Sequence, residues 1–241
     1  MRREQRPASA VPLWLWIFLV AAFAAQLALH AAKPRPGLAA EDLPGAPTAA
    51  ALRLASVGEP QAAARIAMLY VQAFDLGGAN SLPYQRLDYR RLIDWLAAIL
   101  ALEPRSQYPL FCAARIYAEN ADPAKSRLML EFIYREFFVD PNRRWPWLAH
   151  AALVAKHELT DLALARRYAA AIDRYTTASD VPLWAKQMEI FILEDMDELE
   201  AARVMLGGLL ASGTIRDRAE ARFLEQRLED LERRSLSRRR Q

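Results

Sequence analysis

The sequence predicts an all-α protein, and three observations lead there. Only eight glycines occur in 241 residues, well under the roughly 7% of an average chain, so little of the backbone freedom needed for many short strands and tight turns is present. Alanine, leucine, arginine and glutamate, all strong helix formers, are abundant. Apolar residues make up 54% of the chain, enough for a substantial core, and beyond residue 48 they recur at helical spacing. The architecture expected is one transmembrane helix followed by helix-turn-helix repeats stacked into an α-solenoid.

The first element is LWLWIFLVAAFAAQLALHAA, Leu13 to Ala32, in which only Gln26 and His30 are polar. As a helix rising about 1.5 Å per residue it reaches roughly 30 Å, the hydrocarbon thickness of a bilayer. Trp14 and Trp16 suit an interfacial anchor. A cleaved signal peptide is the alternative, since Ala22-Phe23-Ala24 offers a processing site; the apolar stretch continues past it, which favours an uncleaved anchor. Arg2, Arg3 and Arg6 precede the span, and only Lys33 and Arg35 follow it closely. That bias predicts a cytoplasmic N-terminus, residues 1–12. In a bacterium, which the Ala/Arg-rich composition suggests, the protein then sits in the inner membrane with the rest of the chain in the periplasm.

Residues 33–47, KPRPGLAAEDLPGAP, read as a semi-rigid proline-rich linker. The helical domain follows over 48–236, and 237–241 form a basic tail. The net charge of +3 and isoelectric point near 9.1 owe much to arginines at the two ends. The body is close to neutral, which argues against a nucleic-acid groove. The one cysteine, Cys112, lies in the apolar run LFCAARIYA and reads as a small core residue.

Three prolines precede apolar helical runs: Pro109 in YPLFCAARIYAE, Pro146 in WPWLAHAALVAK and Pro182 in VPLWAKQMEIFI, spaced 37 and 36 residues apart. Proline is tolerated at the first helical position, so each is read as a helix start. One residue on stand Leu110, Trp147 and Leu183; two on, Phe111, Leu148 and Trp184; eight on, Tyr117, Val154 and Ile190; nine on, Ala118, Ala155 and Phe191. These offsets share one face of a helix. The turns ENADPAK, KHELTD and EDMDELE then lead into second helices, where Leu128, Ala165 and Ala201 stand nineteen residues after the prolines and are expected at the helix crossing. Upstream, Pro60 opens a helix and Leu87 to Leu102 supplies its partner, joined by the long loop FDLGGANSLPYQR. At the far end Phe223, Leu224, Leu228 and Leu231 form the stripe of a capping helix.

This pattern resembles the tetratricopeptide repeats and the related half-tetratricopeptide repeats over about residues 85 to 212. Trp147 and Trp184 fall in the early aromatic region of the repeat, Tyr117 in the later one, Ala165 and Ala201 at the small position of the second helix. LALEPRS and FFVDPNR are similar to the closing phrase of the unit. The small residue of mid-helix A is kept as Ala114 and Ala151 and becomes Gln187 in the last copy. The resemblance implies a helical solenoid and, for function, a surface that binds other proteins.

Motifs for chemistry are sparse. His150 and His157 are about 10 Å apart along a helix, too far for one metal without other ligands. No phosphate-binding glycine loop or nucleophile elbow occurs, and the acidic run Glu194 to Glu200 lacks the glycine of a calcium loop. No catalytic residue, cofactor or metal is therefore assigned. The expected function is that of a membrane-anchored scaffold or assembly factor for an envelope complex, with a protein or peptide partner and neither nucleic acid nor a small-molecule substrate. A peptidoglycan-lyase-type enzyme on a helical superhelix is one alternative; an RNA-binding half-tetratricopeptide protein, if the body is cytoplasmic, is another. Trp147 is read as packed between helices. Arg143, Arg144 and Trp145 are read as a solvated junction between repeats and, with Tyr84 and Arg90 beside the long loop, are the candidates for partner contact.

Overall fold

The computed structural model describes residues 12–32, 42–74, 83–213, 215 and 217–238, without the side chains of 30–32 and 238. The basic residues Arg2, Arg3 and Arg6, the linker segment 33–41, most of the FDLGGANSL loop and the end of the arginine tail lie outside the described residues. Those described contain eleven α-helices and no strand, so the fold is all-α.

The chain divides into two compact units. One holds α1, Leu13–Ala32. Its side chains are exposed on every side from Leu13 to Leu29. Among the described residues no helix is long and apolar enough to cross a membrane.

The second unit begins at Asp42 and carries α2 (Ala49–Ala55), α3 (Pro60–Ala73), a 3₁₀ turn (Tyr84–Arg86), α4 (Tyr89–Leu102), α5 (Tyr108–Cys112, continued by a π turn over Ala113–Tyr117), α6 (Pro123–Phe137), α7 (Pro141–His157), α8 (Leu162–Tyr175), α9 (Leu183–Asp195), α10 (Leu199–Ala211) and α11 (Arg218–Arg238). Their starts are written locally. Pro60, Pro123 and Pro141 occupy first helical positions, where a missing N–H costs nothing. Thr48, Asp88, Asp122 and Asp161 each accept a main-chain N–H of the following turn. Each helix packs on its neighbour in sequence from α3 to α11; α4 also packs on α6, and α5 on α7. One core runs from Leu43 to Ile192, and a smaller one joins α9, α10 and α11 through Leu193, Leu206, Leu224 and Leu231.

Four local expectations change. Pro146 lies inside α7, which starts at Pro141, five residues earlier. The junction Arg143 to Trp145 is therefore helical. The two side chains at the expected crossing, Leu128 and Ala201, are exposed and half-buried, whereas Ala165 is buried; in α6 and α10 the buried small residues are Ser126 and Ala202. In α11 the buried stripe is Leu224, Leu231 and Ser235, with Phe223 turned out. Finally, the last part of the linker is part of the fold. Leu43 is fully buried, its carbonyl accepts from Arg91 Nη1 at 3.0 Å, and the Pro44 carbonyl accepts from Trp95 Nε1 at 2.8 Å. The Asp42 carboxylate closes the strap by accepting the Asp88 N–H at 3.2 Å.

Candidate functional site: an aromatic row across three helices

Helices α5, α7 and α9 line up a row of aromatic side chains. Tyr108 and Phe111 of α5 stack with centroids 6.0 Å apart, and Phe111 meets Trp147 of α7 edge-on at 5.7 Å. On the other side of Pro146, Trp145 packs edge-on against Trp184 of α9 at 5.5 Å. Residues 145 and 147 are separated by about 200° around a helix, so the WPW triplet sends one ring toward α5 and the other toward α9. The rings are positioned by polar contacts: Trp147 Nε1 donates to Gln107 Oε1 at 2.6 Å, and Gln72 Nε2 of α3 donates to the Tyr108 hydroxyl at 2.8 Å. Yet Tyr108, Phe111 and Trp184 remain exposed, Trp184 by 53%, so the row is held in place without being covered.

The row has a polar margin. His150, one turn beyond Trp147, lies 3.3 Å through Nδ1 from Arg115 Nη1 and 3.4 Å through Nε2 from Glu119 Oε1. Burial holds the imidazole below its ordinary pKa, and the adjacent Arg115 charge adds to this while Glu119 opposes it. At the other end the row opens into a cleft of about 300 Å³ between α3, α4 and α5, lined by Arg65, Met68, Glu103, Gln107 and Tyr108.

A second aromatic set joins Tyr134 of α6 and Phe138 at its end with Tyr168 and Tyr175 of α8; Tyr168 is buried, and Phe138 and Tyr175 are exposed. Arg167 lies over the rings of Tyr134 and Tyr168 and is ion-paired to Glu131, which also accepts from the Tyr168 hydroxyl at 3.2 Å. That arrangement ties α6 to α8.

Of the residues singled out from the sequence, Trp145 belongs to the row. Tyr84 reaches its polar margin, with its ring on Tyr117 and its hydroxyl 3.5 Å from the Glu119 carbonyl. Arg143 is exposed and donates to the Arg105 carbonyl at 3.1 Å. Arg90 is exposed in the first turn of α4, apart from the row. Arg144 is the correction: it is only 1% exposed. It donates through Nη1 to the Glu136 carboxylate at 2.6 Å and carbonyl at 2.7 Å, and through Nη2 to the Pro104 carbonyl at 3.0 Å. A guanidinium so enclosed is unavailable to a partner. From the sequence, Phe111 and Trp184 stand at an offset after the prolines that reads as a buried face, and Tyr108, before Pro109, falls outside the pattern; aromatics at two adjacent offsets are the available signal, since neighbouring positions cannot all face one core.

Among the described residues no group of three His, Cys, Asp or Glu side chains is placed to hold a metal ion. Cys112 is buried, with the Gln72 amide 3.9 Å from its sulfur. No known protein family matches the chain, and no curated protein or solved structure matches it either.

Proposed function

We propose that this chain is a membrane-anchored, tetratricopeptide-like solenoid that holds a protein or peptide segment along the aromatic row, as a scaffold or assembly factor for an envelope complex. The observation that carries the reading is the row itself: five rings from three successive odd-numbered helices, fixed by Gln107 and Gln72, with Tyr108, Phe111 and Trp184 open to solvent and Trp145 and Trp147 half-buried. Exposed aromatic side chains in an ordered array are what an extended partner needs for anchors. Sequential packing from α3 to α11, with α5 on α7 and α4 on α6, supports a stacked-hairpin solenoid. The uncovered side chains of α1, apolar among those described except for Gln26, support an anchor in lipid, with the basic N-terminus inside.

A photo-crosslinking residue placed at Trp184 or Phe111 in membranes of the source organism tests the site, with Arg222 on α11 as the control position. The row should give a discrete crosslinked protein that Arg222 does not. Equal yields from all three positions, or none from the row, would remove the proposal. A reporter active only in the periplasm, fused after Gln241, should be active; activity of a cytoplasm-only reporter there would reverse the orientation.

A further inference from the structure

The two ends of the helical unit are finished differently. At the C-terminal end α11 turns Arg222, Glu225, Gln226, Glu229 and Asp230 outward, the charged surface that an array end facing water requires. At the N-terminal end α2 packs mainly on α4, and the outer face of α3 stays open. Along it, Ala62, Ile66, Leu69 and Ala73 form one stripe at spacings of four, three and four residues, with Ile66 67% and Leu69 66% exposed. Leu54 in the last turn of α2 and Val57 in the turn before α3 add to this apolar surface, both almost fully exposed. Val57 also holds a left-handed φ of 50°, a conformation costly for a β-branched side chain. An apolar surface carried partly on strained backbone gains nothing from water.

The covalent path selects what covers it. The strap fixes Asp42 on the N-terminal end of α4, and through the Trp95 ring, 5.2 Å from Tyr70, it lies against the same helix α3. From Asp42 back to the end of α1 there is only the segment 33–41, at most about 30 Å of extended chain. Arg65 flanks the stripe on the side of the Glu103 cleft, Arg53 donates from α2 to the Ala101 carbonyl at 3.0 Å, and both are exposed, a placement that lets Arg65 reach headgroups beside an interfacial helix. We infer that the α2–α3 face, centred on Ile66 and Leu69, lies in the headgroup layer of the bilayer in which α1 is anchored. The inference rests on the anchor reading of α1, and it makes this end of the domain a second, peripheral membrane contact.

The test uses the full chain, with Cys112 replaced by Ser, in vesicles of phosphatidylethanolamine and phosphatidylglycerol. An environment-sensitive fluorophore is attached at Leu69→Cys, at Val20→Cys in α1, or at Glu225→Cys on α11, and lipids carrying spin labels at the headgroup or deep in the acyl chain act as quenchers. The Leu69 probe should be quenched by headgroup labels at least twofold more than the Glu225 probe, and the Val20 probe by deep labels. If Val20 is quenched and Leu69 behaves like Glu225, the anchor stands and the inference falls. If Leu69 is shielded from aqueous iodide without being quenched by lipid, a protein surface or a second copy covers the stripe, which overturns it equally. Quenching at Leu69 without quenching at Val20 would keep the lipid contact and remove the anchor. Should Cys112→Ser lower the yield, Ile66→Ser with Leu69→Ser in the otherwise unaltered chain gives an independent reading: those exposed positions leave the fold intact, and vesicle crosslinking of α3 should fall at least twofold.

Discussion

Arg144 and Glu136 form a closed pair across α7 and the end of α6: one guanidinium nitrogen meets both the carboxylate and the main-chain carbonyl of the same residue, at 2.6 and 2.7 Å. The third bond, to the Pro104 carbonyl at 3.0 Å, draws in the turn after α4. The turn after α4, the end of α6 and α7 are thus held by one side chain that water does not reach.

Removing Arg144 strands the Pro104 and Glu136 carbonyls inside the protein. Arg144→Ala should lower stability by about 3 to 5 kcal/mol, the usual cost of breaking a buried pair from one side. Glu136→Gln keeps an acceptor and should cost clearly less. Urea denaturation of both variants checks the order, and an unchanged midpoint for Arg144→Ala would refute the pairing.

This residue also marks the limit of what could be read from the sequence. The start of α3 is legible because a proline acts on its own neighbours, as at Pro60. The burial of Arg144 depends on carbonyls eight and forty residues away in the chain, and no local pattern carries that. Pro146 misled for a related reason: proline fixes its own φ wherever it stands, and the true start at Pro141 is set by the segment before it. Of the aromatic row, the residue types were visible and their outward direction was not, because α5, α7 and α9 share the offsets and differ in how far their neighbours cover them.

Trp147 and Trp184 should separate stability from binding. Trp147 is partly buried against Phe111 and Gln107, so Trp147→Ala should cost about 2 kcal/mol, below the roughly 3 to 5 of a fully buried ring. Trp184→Ala should stay within about 0.5 kcal/mol, as exposed positions do, yet abolish capture of the partner. Thermal unfolding and crosslinking on the same two variants read both effects.

His150 predicts a pH dependence with a definite sign. Its folded-state pKa lies below the ordinary 6.5 through burial and the neighbouring Arg115, so the unfolded chain takes up the proton first. The stability from the neutral imidazole is fully present above about pH 6.5. It is lost as pH falls from there toward the folded-state value. Denaturation midpoints at pH 8 and 7 should agree, those at pH 6 and 5 should fall, and His150→Gln should flatten the decline over that window.

The strap supplies the sharpest test of where the folded unit begins. Leu43 is completely buried, and its neighbour Pro44 provides the acceptor for the Trp95 indole. A chain that starts at Thr48 keeps every helix from α2 onward but removes the buried Leu43 side chain and leaves that indole N–H without its acceptor. Truncating one large aliphatic side chain in a core costs about 2 to 5 kcal/mol, and loss of a partner for a buried donor adds about 1 to 3. A chain starting at Asp42 should therefore exceed one starting at Thr48 by several kcal/mol in urea denaturation. Leu43→Ala in the longer chain should recover much of that difference by itself. Tryptophan emission should shift to the red in the shorter chain as Trp95 meets water, while the circular dichroism of both stays helical. Equal stability of the two chains would mean that Asp42 to Pro47 rests on the domain without contributing to its fold, and the tether to α1 would then be longer by the length of the strap.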